Sequence, residues 1–321
     1  MVHQKVERMG MPQVIKLSAF FLIYFSVKIY AYPILGTIDT YSLIYNERER
    51  RIQIFNPFNV IINPNTTFFI MSDGEELFDK KSSWNGKSWN IDKEIMASNR
   101  KLQDKNFIII AVDSAKRGKS IIDETRRYIE FFPEEVIDEF DDGFRKFAYR
   151  RIKNLGGNDY KSFIVQYLVP FLEKKYNQKL NKNNMGTIGA SMGAIAALNL
   201  IIEYPDLFGS VGAISTHWVG IKPIEYATLP LRKSFKGDRA TFDAIKNYIE
   251  RNVNSLKGKR VYFDYGTVGL DKNYNKPQSE INNLLDINKI EYKTLKFNNH
   301  GHEAKFFGER IVEVMLYLKN Y

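Results

Sequence analysis

The 321-residue chain contains no cysteine. That absence removes thiol nucleophiles, disulfides, thiolate metal sites and lipid attachment at cysteine together. Histidine is almost as scarce, since His3, His217, His300 and His302 are the whole set. A mechanism that needs an imidazole therefore has few places to find one. No low-complexity tract and no repeat of solenoid period runs along the chain, which excludes an array architecture. No module combining aromatic and basic residues in the manner of a nucleic-acid reader is present, so no nucleic-acid partner is expected.

What is present is enough for a large core. Hydrophobic residues make up 44% of the chain and aromatic residues 14%, and no Gly/Ser/Pro-rich linker divides it. Net charge is +10, but the cations are scattered among acids, and "EEVIDEFDD" (Glu134–Asp142) is acidic. The charge reads as a solvated surface, with weak contact to an anionic membrane surface as the lesser reading. Oligomeric state leaves no mark on the sequence.

The first 31 residues differ from the rest. A basic flank ending at Lys16 precedes a largely apolar run from Leu17 to Val27, which Lys28 ends. A bilayer-spanning helix needs roughly 20 apolar residues, whereas a signal-peptide core needs about 7–15. Residues 1–31 are expected to be a cleaved secretory signal ending near Ala31, making the protein secreted or periplasmic. An uncleaved N-terminal membrane anchor is the alternative, and an apolar element of the fold ranks last. Met9 and Met11 offer alternative starts, so His3 is set aside as a catalytic candidate.

From Tyr41 onward, short β-rich runs alternate with helical periodicity. "YSLIYN" and "RRIQIFNP" read as a lead-in hairpin. Strands are then expected at 66–73, 106–113, 186–191, 210–216, 260–266 and 289–297, several of them nearly continuous in apolar residues, as in parallel strands covered on both faces. Helices are expected over Tyr160–Tyr176, Ala194–Tyr204, Arg239–Asn252, Lys276–Asp286 and Glu303–Leu318. This alternation predicts an α/β fold, a mostly parallel sheet with helices on both sides, as one domain over 32–321. A polar excursion at 114–159 follows a strand and is expected to build the rim of a site, as a lid over it or beside it.

"GASMG" (Gly189–Gly193) matches G-x-S-x-G, after the strand "GTI" and before the helix "AIAALNLIIEY". A serine there sits on a tight turn whose backbone leaves room only for glycine on either side. Its hydroxyl projects above the carboxyl edge of the sheet, and the amide of Met192, at a helix N-terminus, is placed to stabilise an oxyanion. A serine hydroxyl needs a base, usually a histidine oriented by a carboxylate, and the expected chain order is serine, acid, histidine. His300 and His302 lie in "FNNHGHEAKFF" after the last strand, and either satisfies the order. His217 precedes any plausible acid and is a pocket-lining candidate. "GTVGLD" supplies Asp271 in the loop after "RVYFDYG", while Asp264 lies within that strand and is expected to point sideways into the sheet. In "MSDGEELFD", Gly74 lets the chain turn back and the amide of Glu75 is the second oxyanion candidate. Asp73 and Asp79 are read as self-capping turn residues, not metal ligands.

Taken together, "FFIMSDGEELFD", "RYIEFFP", "YKSFIVQYLVPFLEKKY", "GTIGASMGAIAALNLIIEYPDLFGSVGAIS", "YFDYGTVGLD" and "NHGHEAKFF" resemble the putative-esterase (esterase D-like) family of α/β hydrolases. The likeness spans about residues 66–310. It implies the α/β-hydrolase fold, with Ser191 as nucleophile, Asp271 as acid, His302 as base, and oxyanion amides from Glu75 and Met192. The family pattern sets the histidine directly before a stretch like "EAK", which favours His302 over His300. Phe307 stands where the family often has tryptophan, and Ala194 where a second glycine is usual. The implied activity is serine carboxylesterase chemistry through an acyl-enzyme, with no cofactor and no metal. The ester is unidentified, of a sugar, aryl or siderophore type. An acyltransferase on the same triad, or a catalytically silent envelope-binding scaffold, are the alternatives. Trp84, Trp89, Arg127, Tyr128, His217 and Trp218 are the candidate substrate rim.

Overall fold

The computed structural model describes residues 36–46, 48–83, 86–115, 121–156, 159–228 and 236–319. The N-terminal segment therefore lies outside the described residues, as does Trp84. From Gly36 onward the chain makes one unit. None of its described helices is long and apolar enough to cross a membrane.

Among the described residues eight strands make one sheet: β1 (Thr37–Tyr45), β2 (Arg48–Asn56), β3 (Thr67–Met71), β4 (Phe107–Val112), β5 (Met185–Ala190), β6 (Ser210–Ile214), β7 (Arg260–Gly266) and β8 (Tyr292–Phe297). Their spatial order is β1-β2-β4-β3-β5-β6-β7-β8. The hairpin β1–β2 joins antiparallel, β2 also runs antiparallel to β4, and every pair from β4 to β8 is parallel. This is the expected α/β hydrolase architecture.

The central strands bury both faces because both faces are apolar. Phe68, Ile70, Ile108, Ile110, Val211 and Ala213 enter one core, while Phe69, Met71, Phe107, Ile109 and Ile214 enter the other. Alternate residues of a strand point to opposite faces, so one continuous apolar run serves two cores. The outer strand β8 is only half-buried and carries Lys293 and Lys296, a common way to protect an open sheet edge.

The helices follow in chain order. α1 (Gly74–Leu77), α2 (Ile91–Ala97) and α3 (Asn99–Leu102) lie between β3 and β4. The stretch after β4, expected as a polar excursion, is itself helical: α4 (Ile121–Phe131), α5 (Glu134–Ile137) and α6 (Gly143–Gly156). Next, α7 (Tyr160–Phe163) and α8 (Val169–Tyr176) are joined by a π-helical turn at Ile164–Leu168. Pro170 just beyond it has no N–H to give to the ladder. α9 (Met192–Glu203) leaves β5 and is buried along its whole length except at Glu203. α10 (Pro223–Thr228), α11 (Arg239–Arg251), α12 (Asn275–Ile287) and α13 (Ala304–Lys319) are the remaining α-helices among the described residues. α9 belongs to one core, whereas Phe307, Ile311, Val314, Met315 and Leu318 of α13 fill the other. Helices thus cover both faces, and the carboxyl ends of the parallel strands share one edge.

Candidate active site

Ser191 sits between β5 and α9 with φ 59° and ψ −122°, a left-handed backbone uncommon for a residue with a side chain. Its neighbours explain how the turn is tolerated. A Cβ on Gly189 would lie 2.2 Å from the carbonyl oxygen of Gly193, and one on Gly193 would lie 2.3 Å from Ser72 Oγ. Both glycines are therefore required by space. The Ser191 N–H donates to the Ile214 carbonyl at 2.9 Å, which ties the turn to the end of β6. Helix α9 begins at Met192, so that amide is among the first-turn donors with no partner in the helix.

The β3–α1 turn abuts this elbow, since Ser72 Oγ and Asp73 Oδ2 both lie within 3.2 Å of a Cβ built on Gly193. Gly74 presses on β4, where a side chain would meet the Val112 backbone at 2.7 Å. Glu75 follows in the first turn of α1. Its buried carboxylate accepts the Ser114 N–H at 2.9 Å and the Ser114 hydroxyl, fixing the turn to the end of β4. Asp79 caps its own turn through the Lys81 N–H. Asp73 does not. It is buried and makes a two-pronged ion pair with the buried Arg127 of α4, one arm at 2.6 Å. Burial would lower the arginine's pKa, but the carboxylate beside it raises it above its ordinary value. The self-capping reading of Asp73 is thus corrected. The reason is tertiary: a helix in the excursion brings a cation that no local pattern shows.

Asp271 and His302 come together at the ends of β7 and β8. His302 Nδ1 lies 2.7 Å from Asp271 Oδ1. The other oxygen of Asp271 accepts from Ser215 Oγ at 2.6 Å and from the Gly266 N–H at 2.8 Å. Burial works against the charged carboxylate, yet the hydrogen bond from His302 and these donors hold its pKa below the usual value. Asp264 behaves as expected for a residue within the strand. It is buried beside Ser215, Tyr262 and Arg310, and burial pushes its pKa up to about 6. His300 turns elsewhere: its ring stacks near Phe297 and Phe306, and Nε2 lies 3.8 Å from Glu309. The geometry thus separates two histidines that the sequence spacing alone left equivalent.

The candidate rim contracts. Trp89 is buried and packs edge-on against Phe307, which itself packs against His302. Trp218 is fully buried and donates its indole N–H to Gln278 Oε1 at 2.9 Å. Arg127 is spent on Asp73. His217 is buried, with its backbone N–H donating to the Ser191 carbonyl at 3.3 Å and its ring Nδ1 2.6 Å from the Tyr274 hydroxyl. Burial pushes its pKa down to about 3, with the His302 ring adding to the effect. Tyr128 alone of the five described is half-exposed. The other four are buried: Trp89 and Trp218 fill the two cores, Arg127 pairs with Asp73, and His217 lies against the Tyr274 hydroxyl. Sequence reasoning also missed Ser215, Tyr274 and Arg310. Arg310 did leave a signal, as a charge at the buried spacing between Phe307, Ile311 and Val314. Among the described residues no cluster of metal-ligating side chains is present.

A family model described as "Putative esterase" matches residues 123–318. The chain belongs to that family of esterases. It is 32% identical over 89 residues to the uncharacterized protein YbbA of Bacillus subtilis (strain 168), a match covering 27% of this chain. The matched stretch spans about a third of that relative, 36% of its length. Among solved structures, a ferulic acid esterase superposes with TM-score 0.60 at 13% identity, over 89% of this chain and 98% of the other. The enterobactin hydrolase IroE, in complex with DFP, superposes with TM-score 0.57 at 14% identity, over 90% of this chain and 97% of the other. At such identities these two support the fold.

Proposed function

We propose that the protein hydrolyses a carboxylic ester through Ser191, His302 and Asp271. The observation that carries this reading is the pairing of a strained serine on the β5–α9 turn with an Asp271–His302 hydrogen bond of 2.7 Å at the same edge of the sheet. Asp271 accepts the Nδ1–H of His302, which fixes the tautomer and leaves Nε2 as a proton acceptor. His302 takes the Ser191 proton while Oγ attacks the ester carbonyl carbon. The amides of Met192 and Glu75 receive the oxyanion. The carbon–oxygen bond to the alcohol then breaks, and His302 returns the proton to that leaving oxygen. Water repeats the sequence on the acyl-serine and restores the enzyme. Asp271 stays ionised throughout, and the scheme calls on no metal or cofactor.

The ester itself is proposed no further than a carboxylic ester. Of the described aromatic residues of the candidate rim, Trp89 and Trp218 are core and only Tyr128 remains half-exposed. The basic-flanked apolar run Leu17–Val27 supports an exported or membrane-tethered enzyme. Hydrolysis of p-nitrophenyl acetate and butyrate by the full-length protein tests the reading, beside Ser191→Ala, His302→Ala and His300→Ala. Turnover by the wild type and His300→Ala, with collapse in the other two, is expected. Equal turnover by Ser191→Ala would overturn it.

A further inference from the structure

We propose that Arg310 is the positioning residue that holds the acid and base loops of this site in register. The inference rests on the proposed triad and adds to it the residue that aligns it. Arg310 lies on α13, seven residues beyond the Gly301–His302–Glu303 turn, and its side chain is fully buried. An arginine offers five N–H donors in a rigid planar fork, and here the fork reaches three strand-end loops at once. Nη1 donates to Ser215 Oγ, after β6, at 2.7 Å and to Asp264 Oδ1, in β7, at 3.0 Å. Both terminal nitrogens approach Asp271 Oδ2 at 3.4 Å. Nη2 donates to the Gly301 carbonyl at 3.2 Å, one residue before His302, and Nε approaches His300 Nδ1 at 3.4 Å.

The consequence lies in which oxygen of Asp271 is left over. Oδ2 is held by Ser215 Oγ, the Gly266 N–H and the guanidinium. Oδ1 is thereby turned to His302 Nδ1. Ser215 is itself held at φ 43°, with its N–H donating to Asp264 Oδ1 at 3.2 Å, so the three loops brace one another through a single cation. A purely structural ion pair would need Asp264 and nothing else. The contacts to Ser215, Asp271 and Gly301 are those that fix the distance between acid and base.

Arg310→Met alone strands two buried carboxylates and is expected to fold poorly. The test therefore uses Arg310→Met combined with Asp264→Asn, which removes cation and spare carboxylate together, and Arg310→Lys, which keeps the charge but not the fork. Two readouts are taken on the full-length protein: kcat and KM for p-nitrophenyl acetate, and the proton NMR signal of His302 Nδ1–H, assigned by its loss in His302→Gln. The double variant is expected to lose on the order of 10²-fold in kcat with KM within about threefold, and to lose the signal. Arg310→Lys is expected to lie between, about tenfold below wild type with the signal retained but shifted. A folded double variant with wild-type kcat and an unmoved signal would overturn the inference, as would Arg310→Lys matching wild type in both. Should the wild type hydrolyse no ester, the proposed function falls, while the His302 signal still decides whether Arg310 holds the pair.

Discussion

Two halves of the site are held in place by different means. At the serine turn between β5 and α9, backbone constraint does most of the work. Gly189 and Gly193 leave no room for a side chain and Ser191 is bent into a positive φ, while Asp271 is set by a backbone amide, Ser215 and the buried Arg310. On the β3–β4 side, buried ion pairs hold the excursion to the sheet. Arg127 of α4 grips Asp73, and Arg50 of β2 grips Glu130 of α4 at 2.7 Å. Backbone constraint tolerates little change in side-chain volume but is indifferent to pH. Buried ion pairs hold while both partners stay charged, and fail when one is neutralised or removed. The serine turn is thus built on steric fit, whereas the Asp271 and His302 loops and the excursion each rely on a buried arginine, Arg310 and Arg127 respectively.

Substitutions should break this contrast in a definite order. The largest effect is expected from Ser191→Ala, which should cut kcat by about 10⁴-fold or more and leave the melting temperature nearly unchanged. Steady-state kinetics beside thermal melting reads both. His302→Ala should approach the same loss, whereas His300→Ala should stay within about tenfold of wild type. Equal losses from the two histidines would erase the distinction drawn from the Asp271 contact. On the other half, Arg127→Met leaves a buried carboxylate without its cation and should cost roughly 3–5 kcal/mol of stability. The combined change Arg127→Met and Asp73→Asn should recover most of it, and urea unfolding of the three variants measures the coupling.

The last prediction concerns pH. His217 is pushed down to about 3 by burial, so between pH 6.5 and 3 the unfolded chain takes up its proton more readily than the folded one. Its contribution to stability is present in full above pH 6.5 and is lost on acidification, at up to about 1.4 kcal/mol per pH unit. Asp264, pushed up to about 6, has the opposite sign, because the folded state gains on protonation as pH falls from 6 towards 3.8. The two slopes oppose one another in that window. His217→Gln should therefore become relatively more stable on acidification than wild type, and melting curves from pH 7 to 4 check it. Parallel curves for the two proteins would contradict the sign.

The strand order's raw material was legible in the sequence because a strand buried on both faces is a continuous apolar run. β4, "FIIIAV", is buried throughout. The Ser191 turn was legible because steric need writes itself as glycine. The helices at 121–156 were not, since their polar faces hide the period and their stability comes from contacts to β2 and the β3 turn. The rim failed for a related reason. Composition says that Trp89 and Trp218 are large and apolar but not which way they face. Ser215 and Arg310 act across loops 56 and 39 residues from Asp271, and no local pattern encodes such a contact.

The most direct measurement of the central claim is covalent labelling by a fluorophosphonate, mapped to a residue by mass spectrometry. The account predicts one adduct, on Ser191, formed in step with loss of esterase activity, absent in Ser191→Ala and strongly slowed in His302→Ala. An adduct on another residue, or esterase activity that survives complete labelling of Ser191, would contradict it.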